Sequence, residues 1–182
     1  PHFRALAPGA DGRRRLDKVS FPGHFDMLMF GRRGITRPSD AASLDPYRRR
    51  FTQMFDEIRD RHGVTSFLAH TMTITERNIG QIADVIRNNH YAGFGMFSFE
   101  PAAFIGDDRR WLDDYAKTTG DAVWAKIEEG AGCRLPYRAL QHGDDRCNRT
   151  TYGFYVGDTY SPLLDDLDLR ELRRRVAFLA TR

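Results

Sequence analysis

Three polar residues lie within or at the end of apolar segments of this sequence and are the first candidates for chemistry. Asp26 stands within an otherwise apolar stretch, where a carboxylate must be paired if it is buried. Glu100 lies at the end of a second apolar stretch, directly before a proline, and His70 lies inside a third. Each of these side chains could contact a bound cofactor or substrate.

Each of these residues also has a structural interpretation. Asp26 could form an ion pair with Arg32 or Arg33, and Glu100 could pair with one of the many arginines. His70 in an apolar strand is more often a core histidine with satisfied hydrogen bonds than a ligand-binding residue. For Glu100 the functional interpretation is favoured, because parallel sheets place their sites at strand ends.

The segments that carry these residues alternate between strand and helix patterns. In chain order, we predict a strand within Lys18–Phe30, a helix that Asp45 caps and Gly63 ends, a strand Val64–Ile74, a helix capped by Thr75, and a strand Gly93–Phe99. This order favours an α/β fold with parallel strands and helical crossovers. Ligands then bind at the carboxyl ends of the strands, here Phe30–Arg33, His70–Thr75 and Phe99–Ala102.

The pattern changes after residue 103. We predict a helix from Asp121 and a hairpin of Gly153–Val156 and Thr159–Leu164 around the turn residues Gly157-Asp158. A final helix begins after Asp168, with leucines and a valine at helical spacing.

The composition excludes several functional classes. The 182 residues are 41% apolar and 29% charged, with 25 Arg, 3 Lys and a net charge of +3. No apolar run approaches the ~20 residues of a membrane span, and no secretory signal opens the chain, so we expect a cytoplasmic protein. Basic residues do not alternate with aromatic ones along one surface, so nucleic-acid binding is not predicted.

The sequence predicts no metal site of its own. Two cysteines, Cys133 and Cys147, are too few for a disulfide framework or a four-cysteine zinc site. The histidines His24, His70 and His142 have no spacing typical of metal ligands.

Three segments together resemble one enzyme family. Residues 73–82, which read Thr-Ile-Thr-Glu-Arg-Asn-Ile-Gly-Gln-Ile, resemble the fifth-strand segment of radical S-adenosylmethionine (radical SAM) enzymes. Phe97-Ser98-Phe99-Glu100-Pro101 is similar to their sixth strand, and the segment from Phe25-Asp26 to Gly31-Arg32 to their fourth. Two further phrases, residues 106–111 and 147–150, also fit this family, so that the resemblance covers most of residues 18–180.

The resemblance implies a fold and a set of contacts. The fold would be a partial parallel (β/α) barrel: residues 1–17 a linker or remnant, 18–130 the last three β/α units of a six-strand barrel, and 131–182 an extension with a hairpin and a helix. S-adenosylmethionine and a 4Fe-4S cluster would be the cofactors. The implied contacts are Asp26, Asn78, Ser98 and Glu100 to S-adenosylmethionine, and His70 and Arg32 to the substrate.

Two of these contacts have local alternatives. Asn78 could bond the backbone of its own helix turn, as Asn commonly does. Arg32 could be a solvated residue at a strand end.

The largest departure from the family is the missing cluster motif. The family holds its cluster with three cysteines spaced C-x3-C-x2-C, and this chain has no such run. We therefore expect the ligands to lie outside the chain, which would be an inactive C-terminal fragment of a radical hydrogen-abstracting enzyme. Leu163 stands where an auxiliary cluster would need a second cysteine, so such a cluster is not expected either.

A non-catalytic module that binds a peptide or protein is the alternative function. The substrate of the radical enzyme would be a small molecule or a peptide. An open half-barrel also has an unpaired sheet edge, which predicts self-association.

Overall fold

The computed structural model describes residues 9–13, 16–26, 38–102, 118–138, 143–144 and 146–166. The chain forms two compact units. Unit 1 comprises Pro1–Ile74 and Asn88–Ala102, and unit 2 comprises Thr75–Arg87 and Ala103–Arg182. These units divide the chain at other places than the predicted boundaries after residues 17 and 130.

The described residues form five strands and three α-helices. In chain order these are β1 (Lys18–His24), α1 (Asp45–His62), β2 (Thr65–Ile74), α2 (Ile82–Asn89), β3 (Met96–Pro101), α3 (Gly120–Ala131), β4 (Gly153–Val156) and β5 (Thr159–Pro162). Short 3-10 turns precede α1 and α2.

Strands β1, β2 and β3 form a parallel sheet in that order. The predicted α/β class with parallel strands is thereby confirmed. A separate antiparallel pair, β4 and β5, forms the predicted hairpin. Gly157 at its tip has φ 59°, a conformation that glycine adopts without strain.

Helix α1 covers one face of the parallel sheet. Its buried Phe55 and Ile58 share a core with Leu68 of β2 and with Val64 just before that strand. Gly63 ends the helix in the left-handed conformation (φ 62°) and donates its N–H to the Arg59 carbonyl, as predicted.

The predicted start of α1 was wrong by one residue. The helix begins at Asp45 itself, and the capping position is occupied by Leu44. The Asp45 carboxylate makes no cap, because it accepts hydrogen bonds from the side chains of Arg48 and Asn89 instead.

Three other predicted boundaries need correction. Strand β1 ends at His24, so Asp26 follows the strand, and residues 27–30 lie outside the described part of the chain. Strand β3 begins at Met96 and includes Pro101, which fits its edge position because an edge strand tolerates proline. Helix α2 starts at Ile82, since Thr75 accepts the Arg77 N–H in a local turn ahead of it.

The two faces of the parallel sheet differ in character. Along β2 the side chains of Leu68, His70, Met72 and Ile74 are buried on the α1 side, while the alternating residues are only partly buried. The strand register places His24, Thr71, Thr73, Ser98 and Glu100 on the opposite face, called the distal face below.

Unit 2 has its own small core. Thr119 caps α3 by accepting the Ala122 N–H, and the predicted helix from Asp121 is confirmed with a start one residue earlier. Trp124, Ala131 and Leu135 form the buried cluster, against which Tyr160 of the hairpin packs. The helix predicted after Asp168 lies outside the described residues. None of the described helices has the length and apolar character needed to cross a membrane.

Candidate functional site

A histidine and two of its polar neighbours lie at the carboxyl end of β1. His24 Nε2 is 2.5 Å from Asp26 Oδ2 and 3.0 Å from the Thr73 hydroxyl of β2. The backbone explains the contact with Asp26, because residues two apart in an extended chain point to the same side. The Phe25 N–H still donates to the Thr71 carbonyl (2.8 Å), so the extended pairing continues just past β1.

Asp26 is buried, whereas its partner His24 is half exposed. The Asp26 side chain is 2% exposed and the His24 side chain 50%. Burial of a carboxylate requires hydrogen-bond donors, and the Thr73 backbone N–H donates to Asp26 Oδ2 at 3.3 Å. The carboxylate is thus held from the β2 side while the imidazole remains accessible.

Ser98 and Glu100 extend this polar region onto β3. The Ser98 hydroxyl donates to Glu100 Oε1 at 3.1 Å. Thr71 is paired in register with Ser98, and Thr73 with Glu100. Since neighbouring strands lie about 4.8 Å apart, the polar side chains of all three strands form one continuous surface at the carboxyl edge of the distal face.

This surface is suited to a ligand that carries hydrogen-bond donors. Glu100 is exposed and Ser98 partly exposed, so both can reach a bound molecule. An exposed carboxylate, a half-exposed imidazole and hydroxyl groups at one sheet edge can accept hydrogen bonds from hydroxyl or ammonium groups. We call His24, Asp26, Thr73, Ser98 and Glu100 the edge site.

His70 lies on the other face of the sheet, against α1. It is fully buried, and its ring is surrounded by those of Phe25, Phe94 and Phe97, with centroids 5.2 to 5.5 Å away. Its Nε2 accepts a hydrogen bond from Arg48 Nε at 3.0 Å. This position fits the structural interpretation of His70, that of a histidine in the core.

Burial first, and the nearby positive charge of Arg48 second, lower the pKa of His70 to about 3. The ring is therefore neutral near pH 7. Because Nε2 accepts from Arg48, the proton of the neutral ring resides on Nδ1, which is buried and has no hydrogen-bond partner among the described residues.

Arg48 connects several parts of the α1 side of the sheet through hydrogen bonds. Its side chain is fully buried and donates to the Ala41 carbonyl at 2.5 Å and to Asp45 Oδ1 at 2.7 Å. Asn89 donates to the same Asp45 oxygen at 3.1 Å. The buried guanidinium thereby joins helix α1, the segment before it and His70.

The structure brings together three of the six residues that the sequence predicts as site residues. Asp26, Ser98 and Glu100 lie in the edge site, and His70 lies on the opposite face. Asn78 belongs to unit 2, where its buried Oδ1 accepts the Thr75 N–H at 2.8 Å, the local bonding considered as its alternative. Arg32 lies outside the described residues, as does Arg33, the other proposed partner of Asp26.

Sequence reasoning missed two members of the edge site. His24 stands two residues before Asp26, a spacing that puts both side chains on one face of an extended chain. That signal was present in the sequence. Thr73 had no such signal, because its proximity depends on the register between β1 and β2, which neither strand encodes by itself.

The described residues contain no group of three side chains suited to hold a metal ion. Both cysteines are free, with Cys147 exposed and Cys133 half-buried beside the hairpin. Burial raises the pKa of the Cys133 thiol, with a contribution from Glu128, which makes this thiol a weak nucleophile.

No protein-family model matches this chain, and it matches neither a curated protein nor a solved structure.

Proposed function

We propose that this chain supplies the nucleoside-binding side of a radical SAM enzyme. The observation that carries the proposal is the edge site itself: Asp26, Ser98 and Glu100 cluster at the carboxyl ends of three parallel strands. This is where open α/β sheets and barrels bind their ligands. The same three residues are those that the family resemblance implies for contact with S-adenosylmethionine.

The edge site fits the ribose of S-adenosylmethionine chemically. A ribose presents two neighbouring hydroxyl groups, and one carboxylate can accept a hydrogen bond from each of them. Glu100 is exposed and already oriented by the Ser98 hydroxyl. We assign Glu100 to the ribose hydroxyls and Ser98 to its orientation.

The iron–sulfur cluster does not fit this chain. The family uses three cysteine ligands, whereas this sequence contains two cysteines. Among the described residues, neither cysteine belongs to a group of three side chains that could hold a metal ion. The cluster ligands would therefore come from residues beyond these 182. When bound, cofactor and cluster together supply the radical chemistry, and the chain binds and orients.

The partial barrel is part of the same proposal. The three parallel strands would be its last three, with α1 on the outside and the distal face towards the lumen. His70 then points away from the lumen, and we assign it a positioning role in place of substrate binding. The edge site would contact both S-adenosylmethionine and the substrate.

Anaerobic reconstitution of the reading frame that encodes this chain tests the proposal. We expect bound iron and sulfide, a visible absorption band and binding of S-adenosylmethionine. Glu100→Gln and Ser98→Ala should each weaken that binding by about tenfold, because a hydrogen bond to a charged group contributes ~1.5–3 kcal/mol. Ser20→Ala is the matched control, an exposed serine in the amino half of β1.

Two results of these experiments would contradict the proposal. A colourless protein without iron would exclude the radical SAM function. Equal weakening by Ser20→Ala and Glu100→Gln would exclude the edge site as the binding site.

One observation favours the alternative of an interaction module. Phe67 and Met96 lie on the distal face in the amino half of the sheet and are 38% and 46% exposed. Exposed apolar side chains of this size are typical of protein contacts. A colourless reading frame that retains a peptide or protein partner through these residues would favour this function.

A further inference from the structure

The edge site contains a histidine whose environment selects one of its two neutral forms. We infer that His24, oriented by Asp26, is a proton acceptor and donor for a hydroxyl or ammonium group of a ligand on the distal face. This inference goes beyond nucleoside binding and requires neither S-adenosylmethionine nor a cluster.

The position of the proton on His24 follows from its two contacts. Asp26 Oδ2 lies 2.5 Å from Nε2, and a carboxylate oxygen accepts hydrogen bonds. In the neutral ring the proton therefore resides on Nε2, where Asp26 holds it. The Thr73 hydroxyl, 3.0 Å from the same nitrogen, lies on the same side of the ring.

The other ring nitrogen is then a base. Nδ1 of the neutral ring carries a lone pair, and it makes no hydrogen bond to a described residue. The side chain is 50% exposed, so a bound molecule can approach the ring. A carboxylate that fixes the tautomer and orientation of an imidazole is the arrangement by which hydrolases prepare a histidine for proton transfer.

Proton transfer at this site is balanced without a further reactant. A ligand O–H or N–H gives its proton to Nδ1, and the ring becomes an imidazolium that faces the Asp26 carboxylate. The reverse step returns the proton to the ligand. Glu100 is the other acidic side chain on this part of the distal face among the described residues. It is paired in register with Thr73 and adds negative charge near the imidazolium.

Burial of Asp26 distinguishes this pair from the ion pairs on the surface. In the pairs Arg59–Asp56 and Arg50–Glu57 both side chains are more than half exposed, as expected of solvated charges. The Asp26 side chain is 2% exposed and accepts a hydrogen bond from the Thr73 backbone N–H. The backbone of β2 therefore fixes the position of the Asp26 carboxylate. A fixed orienting group is what proton transfer requires.

Two measurements on the 182-residue chain test the inference. Nitrogen-15 NMR of labelled histidine gives the tautomer of His24 directly, and we expect the proton on Nε2. Diethyl pyrocarbonate then probes the basic nitrogen: the ring nitrogen attacks its carbonyl carbon, and ethanol and carbon dioxide leave. Peptide mapping gives the rate for each histidine.

His62 is the internal control, because its side chain is partly exposed and forms no ion pair with the described residues of α1. We expect His24 to react about threefold faster than His62, because Asp26 holds the ring proton on Nε2 and leaves the Nδ1 lone pair available for attack. Asp26→Asn, which removes the charge and preserves the shape, should lower the His24 rate to that of His62. Ser20→Ala, at an exposed serine in the amino half of β1, should leave the His24 rate unchanged.

Opposite results would overturn the inference. A proton on Nδ1 in the wild-type chain would mean that Asp26 does not select the tautomer. Equal reactivity of His24 and His62 would mean that the contact with Asp26 does not make His24 Nδ1 a more effective base. Both results come from the wild-type chain, so they stand even where Asp26→Asn does not fold.

Discussion

His70 shows how one buried residue links the fold to pH. Its Nε2 accepts from the buried Arg48, and its pKa is lowered to about 3 by burial first and by the Arg48 charge second. In the unfolded chain the pKa of a histidine is about 6.5. Unfolding therefore takes up a proton at any pH between these two values.

This difference predicts a loss of stability in acid. Since the folded pKa lies below the unfolded one, the stabilisation is complete above pH 6.5 and decreases as the pH falls towards about 3. The slope is about 1.4 kcal/mol per pH unit, so roughly 2 kcal/mol should be lost between pH 6.5 and 5. Urea unfolding at several pH values measures it.

The matched variants isolate His70 from the carboxylates that also titrate in acid. His70→Gln retains an oxygen that can accept from Arg48 but does not titrate, so its stability should decrease less steeply than that of the wild type. His62→Gln changes a partly exposed histidine at the end of α1 and should follow the wild-type curve. Parallel curves for wild type and His70→Gln would show that His70 is not held neutral.

The residues of the edge site could be predicted in part. Asp26 and Glu100 stand out as carboxylates within or at the end of apolar segments, whereas Ser98 was predicted from the family resemblance of its segment, and the three residues lie together. The face of His70 could not be predicted, because alternation along β2 separates two faces but does not say which one α1 covers. The packing of α1 against β2, two segments that are separate in the sequence, determines which face is buried.

At the level of elements, β1 depends on a glycine directly before His24. A Cβ atom at Gly23 would lie 2.4 Å from the Phe25 ring and 3.2 Å from the Phe51 ring. Both rings belong to the core between α1 and the sheet, where Phe25 is buried. The close approach of β1 to α1 therefore requires glycine at this position.

Gly23→Ala should destabilise the chain by about 1–3 kcal/mol, the usual effect of an additional group in a packed core. Thermal or urea unfolding measures the change. Gly80→Ala is the control, because a Cβ atom at Gly80 meets nothing within 4 Å and should change stability by no more than ~0.5 kcal/mol. Full stability of Gly23→Ala would contradict the packing of Phe25 described here.

Element ends were predictable where a single residue determines them. Gly63 ends α1 because the left-handed conformation suits glycine, and the turn Gly157-Asp158 connects β4 and β5 for the same reason. The start of α2 was not predictable in this way. Local bonds of Thr75 and Asn78 form a turn there first, and these bonds compete with helix formation.

At the level of the whole molecule, the alternation of strands and helices was enough to predict the parallel sheet. It was not enough to determine whether that sheet belongs to a barrel. Closure of a barrel depends on the tilt and stagger of strands on both sides, and local pattern does not encode them. The second unit groups Thr75–Arg87 with residues far later in the chain, an association that local pattern does not encode.

The central claim is that the edge site binds a nucleoside ligand. The most direct test is an amide NMR titration of the 182-residue chain with S-adenosylhomocysteine, which presents the same ribose and needs no cluster. We predict that the shifted signals are those of Thr71–Thr73, Ser98–Glu100 and His24. Shifts confined to α3 and the β4–β5 hairpin, or no shifts at millimolar ligand, would contradict the claim.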